Sequence, residues 1–323
     1  MKAVHLESGK VSVRAIPVPA RPPGFALIRM LVAGICSTDL ELQRGYYGFS
    51  GIPGHEFVGE VVEADDTGLI GKRVAGEINL ACGACDFCAA GLSRHCPNRT
   101  VLGIVKHPGA FAECLLLPEN NLHLIPDALP SEHAVFIEPI AAACEILDQL
   151  PIPAGECVAV LGDGKLGLLI AQVLKAHGAQ VTLYGRHEAK LRLARKTGIE
   201  TCISSDLPRA AFPVVVDATG AAEGLRAALS MARPRGTVVM KSTVHGEVPI
   251  DAAAVIVNEI TLLGSRCGRF EPALEALSSG KINVAEMISG EYPLHRAPEA
   301  FEEAARPGVL KILLRNDQGT RAS

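Results

Sequence analysis

The chain has 323 residues, of which 48% are hydrophobic and 20% are charged, and its formal net charge at pH 7 is −4. This composition is typical of a folded globular protein and excludes a largely disordered one. The length allows two compact domains. The sequence contains no basic run that would neutralise phosphates, which argues against a nucleic-acid partner.

Apolar stretches in the sequence are short. The N-terminus enters strand-like alternation without an apolar signal core, and the apolar run at residues 166–174 is far shorter than the about 18 residues of a membrane span. We therefore expect a cytoplasmic protein without membrane association. Four of the ten cysteines lie between residues 82 and 96, and in a cytosolic chain such a cluster indicates metal ligation rather than disulfides.

The two halves of the chain differ in their predicted secondary structure. Short strands separated by Gly and Pro are predicted first, as in an all-β, barrel-like unit with long loops, at residues 2–6, 25–33, 57–63, 73–76 and 111–117. A stiff connector, Pro151-Ile152-Pro153-Ala154-Gly155, follows. Strands then alternate with helices, which predicts a parallel, doubly wound α/β sheet. These strands are predicted at 157–161, 180–184, 214–217, 237–240 and 260–263, with helices at 166–174, 188–196, 224–231 and 272–277.

The cysteine cluster predicts one metal centre. Cys82, Cys85, Cys88 and Cys96 are separated by two, two and seven residues, and short loops of this kind let one segment wrap a tetrahedral zinc ion. With four protein ligands no coordination position remains open, so this zinc would be structural. Because iron–sulfur clusters also bind four thiolates, the spacing alone leaves that alternative open.

A second set of residues predicts a catalytic metal. Cys36, His55 and Glu138 together offer one thiolate, one imidazole and one carboxylate, and three ligands leave a fourth position for water or substrate. Glu56, next to His55, is expected either to support the site from outside or to exchange with a ligand.

A glycine-rich turn predicts dinucleotide binding. Gly162, Gly164 and Gly167 fit the G-x-G-x-x-G pattern directly after an apolar strand, and Lys165 and Leu166 begin the apolar-periodic helix that follows. The glycines permit the turn, the approach of the pyrophosphate and close helix–strand packing, while the helix N-terminus favours negative charge.

The next strand indicates which cofactor is bound. Dehydrogenases that use NAD carry Asp or Glu about 20 residues after the turn, but this strand ends in Tyr184-Gly185-Arg186. Arg186 and Lys190 suit the 2′-phosphate of NADP, which we predict in preference to NAD. Asp217, at the end of a later strand, is expected at the cofactor site, although it also suits a turn cap.

Taken in order, these motifs resemble the zinc-containing medium-chain alcohol dehydrogenases, and within them the polyol, threonine and glucose dehydrogenase branch. The resemblance implies a GroES-like β-rich catalytic domain at 1–148 with a structural-zinc lobe near 80–98, a Rossmann domain at 149–286 and a C-terminal return at 287–323. It implies an active site in the cleft between the domains. It also implies that Cys36, His55 and Glu138, with Glu56 beside them, bind catalytic zinc, and that the four-cysteine set binds structural zinc rather than an iron–sulfur cluster.

The implied reaction is reversible hydride transfer between an alcohol carbon and NADP or NAD. Thr38 stands where the family has a hydroxyl that accepts the substrate proton, whereas Glu41 replaces a histidine of many relatives and leaves the onward relay open. A polyol, sugar or other small alcohol is the expected substrate, and a homodimer or homotetramer the expected assembly. The alternatives are an NADPH-dependent aldehyde reductase of the cinnamyl-alcohol type and a non-catalytic, cofactor-binding descendant of the fold.

Overall fold

A computed structural model describes residues 1–243 and 247–316. The chain forms two compact units, one made of Met1–Glu138 with the segment from Met287 onward and the other of Pro139–Glu286. No helix within the described residues is long and apolar enough to cross a membrane.

The N-terminal part of the first unit consists mainly of strands. They are β1 (Lys2–Glu7), β2 (Lys10–Ala15), β3 (Phe25–Gly34), β4 (Glu56–Glu63), β5 (Arg73–Gly76), β6 (Asn79–Leu80), β7 (Thr100–Leu102), β8 (Lys106–His107), β9 (Cys114–Pro118) and β10 (Leu122–Leu124). The short helices α1 (Ser37–Gln43) and α2 (Asp86–Ala89) lie between them, and α3 (Ser131–Ala134) follows β10.

The predicted strand at 111–117 is wrong in its first half. Phe111 and Ala112 belong to the surroundings of β1, because the carbonyl of Phe111 accepts the N–H of Val4 and Ala112 bridges to Ala3. The chain joins β3 only from Cys114 onward. An apolar run that passes from one sheet to another looks like a single strand in the sequence.

The second unit alternates helices and strands, as the sequence predicts. Its elements are α4 (Ile137–Gln149), β11 (Cys157–Leu161), α5 (Lys165–His177), β12 (Gln180–Gly185), α6 (Glu188–Lys196), β13 (Glu200–Ile203), β14 (Phe212–Asp217), α7 (Ala222–Met231), β15 (Ala232–Met240), α8 (Ala252–Val257), β16 (Thr261–Gly264) and α9 (Phe270–Ser278).

These strands form one parallel sheet. Its order in the described part of the chain is β13-β12-β11-β14-β15-β16, which is the 3-2-1-4-5-6 order of a doubly wound dinucleotide-binding fold. The central strand β11 is buried from Val158 to Leu161, as its continuous apolar run requires. The carboxyl ends of β11, β12 and β14 lie side by side, so Leu161, Gly185 and Asp217 begin the loops of one sheet edge.

The C-terminal segment completes the sheet of the first unit. It contains β17 (Ile288–Pro293), α10 (Ala297–Ala304) and β18 (Lys311–Arg315). Strand β18 pairs antiparallel with β3 and parallel with β17, giving the order β10-β5-β4-β3-β18-β17 with β9 also paired to β3. Residues 255 positions apart, Glu56 and Lys311, thereby come into contact.

Candidate functional site

The four clustered cysteines meet at one point of the first unit. The Sγ atom of Cys85 lies 3.6 Å from that of Cys88 and 3.7 Å from that of Cys96. The Sγ atom of Cys82 lies 3.5 Å from that of Cys96 and 4.0 Å from that of Cys88. Sulfurs placed tetrahedrally about 2.3 Å from one ion are about 3.8 Å apart, whereas disulfide sulfurs are about 2.0 Å apart. The arrangement therefore fits one four-coordinate ion.

The same sulfur–sulfur distances argue against an iron–sulfur cluster. An iron–sulfur cluster has more than one iron atom, so its four thiolate sulfurs cannot all lie at the corners of one tetrahedron around a single ion. The fold of the loop supports the close approach, because Gly83 and Gly91 reverse the chain with φ of 73° and 75°. The N–H of Ala84 and then the Cys96 thiol lower the pKa of Cys82 to about 6, whereas the N–H of Cys88 is outweighed by burial and the neighbouring thiols, which raise the pKa of Cys85 to about 11.

Cys36 lies at the N-terminus of α1, held by a buried carboxylate. Asp39 accepts the N–H of Cys36 at 2.8 Å and the N–H of Gly54 at 3.2 Å, and it is fully buried. One carboxylate thus fixes the thiol at the helix start and the turn that carries His55. Cys36 is the N-cap of α1 and Asp39 its N3 residue, so the segment Cys-Ser-Thr-Asp forms a capping box.

His55 presents a nitrogen that suits a metal ion. The side chain is buried, and its Nδ1 lacks a hydrogen-bond partner among the described residues, since Asp39 Oδ1 is 3.6 Å away. Burial disfavours the charged imidazole, but the Asp39 carboxylate and the Cys36 thiol outweigh it and hold the pKa of His55 well above its usual value. Nδ1 lies on the Asp39 side of the ring, and the imidazole and the Cys36 thiol place one ligand atom each within 4.8 Å of one another. Imidazole and thiolate are donors that zinc prefers.

Glu56 forms a buried ion pair. Its carboxylate accepts a hydrogen bond from the ammonium group of Lys311, and each of the two side chains is 1% exposed. The ammonium also lies 5.5 Å from the centre of the Phe136 ring. Gly34 leaves the room for this pair, because a Cβ atom there would lie 2.7 Å from Glu56 Oε2 and 3.1 Å from Lys311 Cδ.

The other residues predicted for this centre differ in whether they lie close to Cys36 and His55. Cys36, His55 and Glu56 place one ligand atom each within 4.8 Å of one another, whereas Glu138, half-buried in the first turn of α4, does not join that group among the described residues. The hydroxyl of Thr38 lies 3.7 Å from Cys36 Sγ. Glu41 is partly exposed and bonded to Arg44 at 2.5 Å.

The glycine-rich turn has the close packing expected of it. A Cβ atom on Gly167 would lie 1.9 Å from the carbonyl oxygen of Gly162, so helix α5 packs directly on the turn. Gly162 has φ of 109°, a conformation that L side chains rarely adopt. A Cβ atom on Gly164, by contrast, would meet nothing within 4 Å. This open side, at the helix start formed by Lys165 and Leu166, is where a pyrophosphate would approach.

The end of β12 is organised by a carboxylate from the glycine-rich turn. Oδ2 of Asp163 accepts the N–H of Arg186 at 2.7 Å and that of His187 at 2.6 Å, and its Oδ1 lies 3.0 Å from His187 Nδ1. Burial raises the pKa of Asp163, but the hydrogen bonds from His187 and Arg186 outweigh this effect and lower it. Arg186 itself is exposed and Lys190 is half-buried in the first turn of α6.

Asp217 acts as a turn cap. Its Oδ1 accepts the N–H of Thr219 at 3.0 Å and the hydroxyl of Thr219 at 2.7 Å, while burial raises its pKa. The carboxylate lies at the same sheet edge as the glycine-rich turn. Its contact with a cofactor stays a prediction.

Sequence reasoning missed three polar residues that organise these sites: Asp39, Asp163 and Lys311. In the sequence, Lys311 directly precedes the apolar run Ile312-Leu313-Leu314, and a lysine is unusual in a strand of the core. The signal for Asp163 was an acid inside the glycine-rich turn together with a glycine, Gly185, at the end of the following strand. Neither signal names the partner residue.

Comparisons with known proteins identify the family. Residues 22–127 match the alcohol dehydrogenase GroES-like domain, and residues 166–279 match the zinc-binding dehydrogenase domain. The L-threonine 3-dehydrogenase of Streptomyces coelicolor is 33% identical over 344 residues, covering 97% of this chain and 99% of that protein. The chain belongs to the zinc-containing medium-chain alcohol dehydrogenase family. The predicted GroES-like and Rossmann-type α/β fold is confirmed with it.

Two further relatives are similar to this alcohol dehydrogenase over nearly its whole length. The D-altritol 5-dehydrogenase of Agrobacterium fabrum is 31% identical, covering 95% of this chain and 97% of that protein. A zinc-binding dehydrogenase from Sinorhizobium meliloti 1021, solved with NADP bound, is 33% identical with a TM-score of 0.89, covering 97% and 98% of the two chains. The predicted oxidoreductase activity and the predicted use of zinc and NAD(P) are confirmed by this family membership.

Proposed function

We propose that this dehydrogenase interconverts a secondary hydroxyl group of a polyol, sugar or similar small molecule with the corresponding carbonyl, and that it uses NADP(H) in preference to NAD(H). The observation that carries the proposal is the pairing of the half-buried Cys36 thiol with the buried His55 imidazole, since each places one ligand atom within 4.8 Å of the other. The relatives described above are named for altritol and for threonine, both of which have a secondary hydroxyl.

Two zinc ions per chain are part of the proposal. Cys82, Cys85, Cys88 and Cys96 would hold a structural ion, since their sulfur distances fit a filled tetrahedral site. Cys36, His55 and Glu138 would hold the catalytic ion, with Glu56 beside them. Zinc bound there supplies a Lewis acid for a hydroxyl or carbonyl oxygen.

The protein's own residues handle the proton and the approach to the site. Thr38, half-buried and 3.7 Å from Cys36 Sγ, would accept the proton of the substrate hydroxyl. Onward transfer through Glu41 is disfavoured by its ion pair with Arg44, so we propose water or a cofactor ribose hydroxyl as the next acceptor. Asp39 fixes Cys36 and the turn before His55 in place.

Cofactor binding is proposed at the glycine-rich turn. Gly162, Gly164 and Gly167, with Lys165 and Leu166 at the start of α5, would hold the pyrophosphate against the helix N-terminus. The nicotinamide ring supplies the hydride acceptor. Arg186 and Lys190 would bind the 2′-phosphate, because Gly185 leaves the strand end without the carboxylate of NAD-specific enzymes. Asp217 would contact the cofactor from the end of β14.

Further proposals concern the organisation of the chain. We assign residues 1–148 to the catalytic domain with its zinc lobe near 80–98, residues 149–286 to the cofactor domain and residues 287–323 to the return. A homodimer or homotetramer in the cytoplasm is the proposed state, which gel filtration with light scattering would test.

Turnover across a substrate panel tests the activity. Zinc-loaded protein would be given NADP⁺ or NAD⁺ with polyols, sugars, threonine and simple secondary alcohols, following formation of the reduced cofactor. We expect turnover with NADP⁺ that chelation or Cys36→Ser abolishes, while the exposed Cys202→Ser variant stays active. Turnover that survives Cys36→Ser would contradict the proposal.

A further inference from the structure

The adenosine end of the cofactor site has an unusual carboxylate. A Cβ atom on Gly185 would lie 2.6 Å from both Cβ and Oδ2 of Asp163. The side chain of Asp163 therefore occupies the space that a side chain at Gly185, at the end of β12, would need. The acid at this place thus comes from the glycine-rich turn, and the end of β12 carries none.

The carboxylate of Asp163 faces the protein rather than the cofactor side. Its side chain is only 9% exposed, and its oxygens accept the N–H groups of Arg186 and His187 and contact His187 Nδ1. The two N–H groups at the turn are thereby used within the protein. A phosphate that arrives at this turn must accordingly be bound by side chains.

His187 is oriented to be one of these side chains. Its Nδ1 lies 3.0 Å from Asp163 Oδ1, so Nε2 is on the opposite edge of the ring, and half of the side chain is exposed. In an imidazole that carries a proton on both nitrogens, Nδ1 donates to the carboxylate and Nε2 can donate to a phosphate. Arg186 precedes it and Lys190 follows one helical turn later.

We infer that His187, positioned by Asp163, is a third residue that binds the 2′-phosphate of NADP(H) and determines cofactor specificity. The inference rests on the proposed preference for NADP. Asp163 is a positioning residue, acting on the phosphate through His187, and does not bind the ribose.

Binding of two cofactor fragments tests the inference. Calorimetric titration with adenosine 2′,5′-bisphosphate and with 5′-AMP isolates the 2′-phosphate without nicotinamide or zinc chemistry. We expect His187→Asn, whose amide can still face Asp163, to weaken the bisphosphate about tenfold, the loss expected for one charge-assisted hydrogen bond. Binding of 5′-AMP should change less than about twofold. The control Arg192→Gln removes an exposed positive charge from the same helix and should leave both affinities unchanged.

The Asp163→Asn variant tests whether the carboxylate positions His187 or binds the ribose. We expect it to leave 5′-AMP binding intact and to have no further effect on bisphosphate binding when combined with His187→Asn. A tenfold loss of 5′-AMP affinity in Asp163→Asn would make the carboxylate a ribose ligand and overturn the inference, as would equal losses for both probes in His187→Asn. If the wild-type protein binds both probes equally, the proposed NADP preference itself is overturned. If the wild-type protein prefers the bisphosphate and His187→Asn keeps that preference unchanged, only the role of His187 is overturned.

Discussion

The ammonium group of Lys311 and the carboxylate of Glu56 form an ion pair in which each side chain is 1% exposed. Glu56 follows His55 directly, and Lys311 begins a strand that pairs with β3. The pair therefore joins the C-terminal segment to the neighbourhood of the candidate catalytic zinc. Each charge is compensated by the other in a place that water does not reach.

Removal of one partner should be costly. We expect Lys311→Met to lower the free energy of unfolding by about 3–5 kcal/mol, because it leaves the Glu56 carboxylate buried and uncompensated. Denaturant unfolding would measure the loss. The exposed Lys10→Met should change stability by less than about 0.5 kcal/mol. The double variant Lys311→Met with Glu56→Gln should recover much of the loss, and equal stability of Lys311→Met and Lys10→Met would refute the buried-pair account.

The second and third glycines of the cofactor turn should respond differently to alanine. Gly164→Ala should leave stability unchanged, since the added Cβ meets nothing within 4 Å and φ is −74°, yet weaken cofactor binding at least about tenfold by obstructing the pyrophosphate. Gly167→Ala should destabilise the protein, because its Cβ would lie 1.9 Å from the Gly162 carbonyl oxygen. Thermal unfolding and cofactor titration separate the two effects. Unchanged cofactor affinity in Gly164→Ala would place the pyrophosphate elsewhere.

Asp163 should give stability a pH dependence at acid pH. Although burial opposes it, hydrogen bonding from His187 and Arg186 lowers its pKa below 3.8. A carboxyl group with a lowered folded pKa stabilises the fold fully above its unfolded pKa and loses that contribution as pH falls through the folded pKa. Metal-free wild type should thus exceed Asp163→Asn in stability at pH 7, with a gap that narrows below 3.8. A gap that stays constant down to pH 2, or one equal to that of exposed Asp127→Asn, would argue against these bonds.

The threonine beside the thiol should affect turnover rather than assembly. We expect Thr38→Val to lower kcat at least about 100-fold, as for loss of a group that transfers a proton, while zinc content and cofactor affinity stay at wild-type values. Thr38→Ser keeps the hydroxyl and should retain most of the activity. Steady-state kinetics with metal analysis would measure both, and a Thr38→Val enzyme with normal kcat would remove Thr38 from the proton path.

Local pattern predicted most elements of the second unit, but not the strand Glu200–Ile203 or the helix Ala252–Val257. The strand Cys157–Leu161 and the helix Glu188–Lys196 have the predicted bounds, because an apolar run and a charged amphipathic segment are each delimited by turn residues. The helix Ile137–Gln149 was not predicted, since its alanines contribute little periodic contrast. The ligand sets could be named because cysteine and histidine spacing is itself the signal.

Contacts between distant residues could not be predicted in the same way. Nothing near Lys311 indicates that a glutamate 255 positions away shares its environment. Asp163 and Gly185 are likewise informative only as a pair, because the strand end has room for one of the two side chains. Such pairings are set by sheet order and register, which a single sequence does not specify.

The measurement that most directly tests the central claim is anomalous diffraction at the zinc absorption edge from crystals grown with zinc and NADP⁺. The account predicts two zinc peaks per chain, one among the sulfurs of Cys82, Cys85, Cys88 and Cys96 and one bound by Cys36, His55 and Glu138. A peak at the four cysteines with none at Cys36 and His55 would contradict zinc-dependent dehydrogenation at this site.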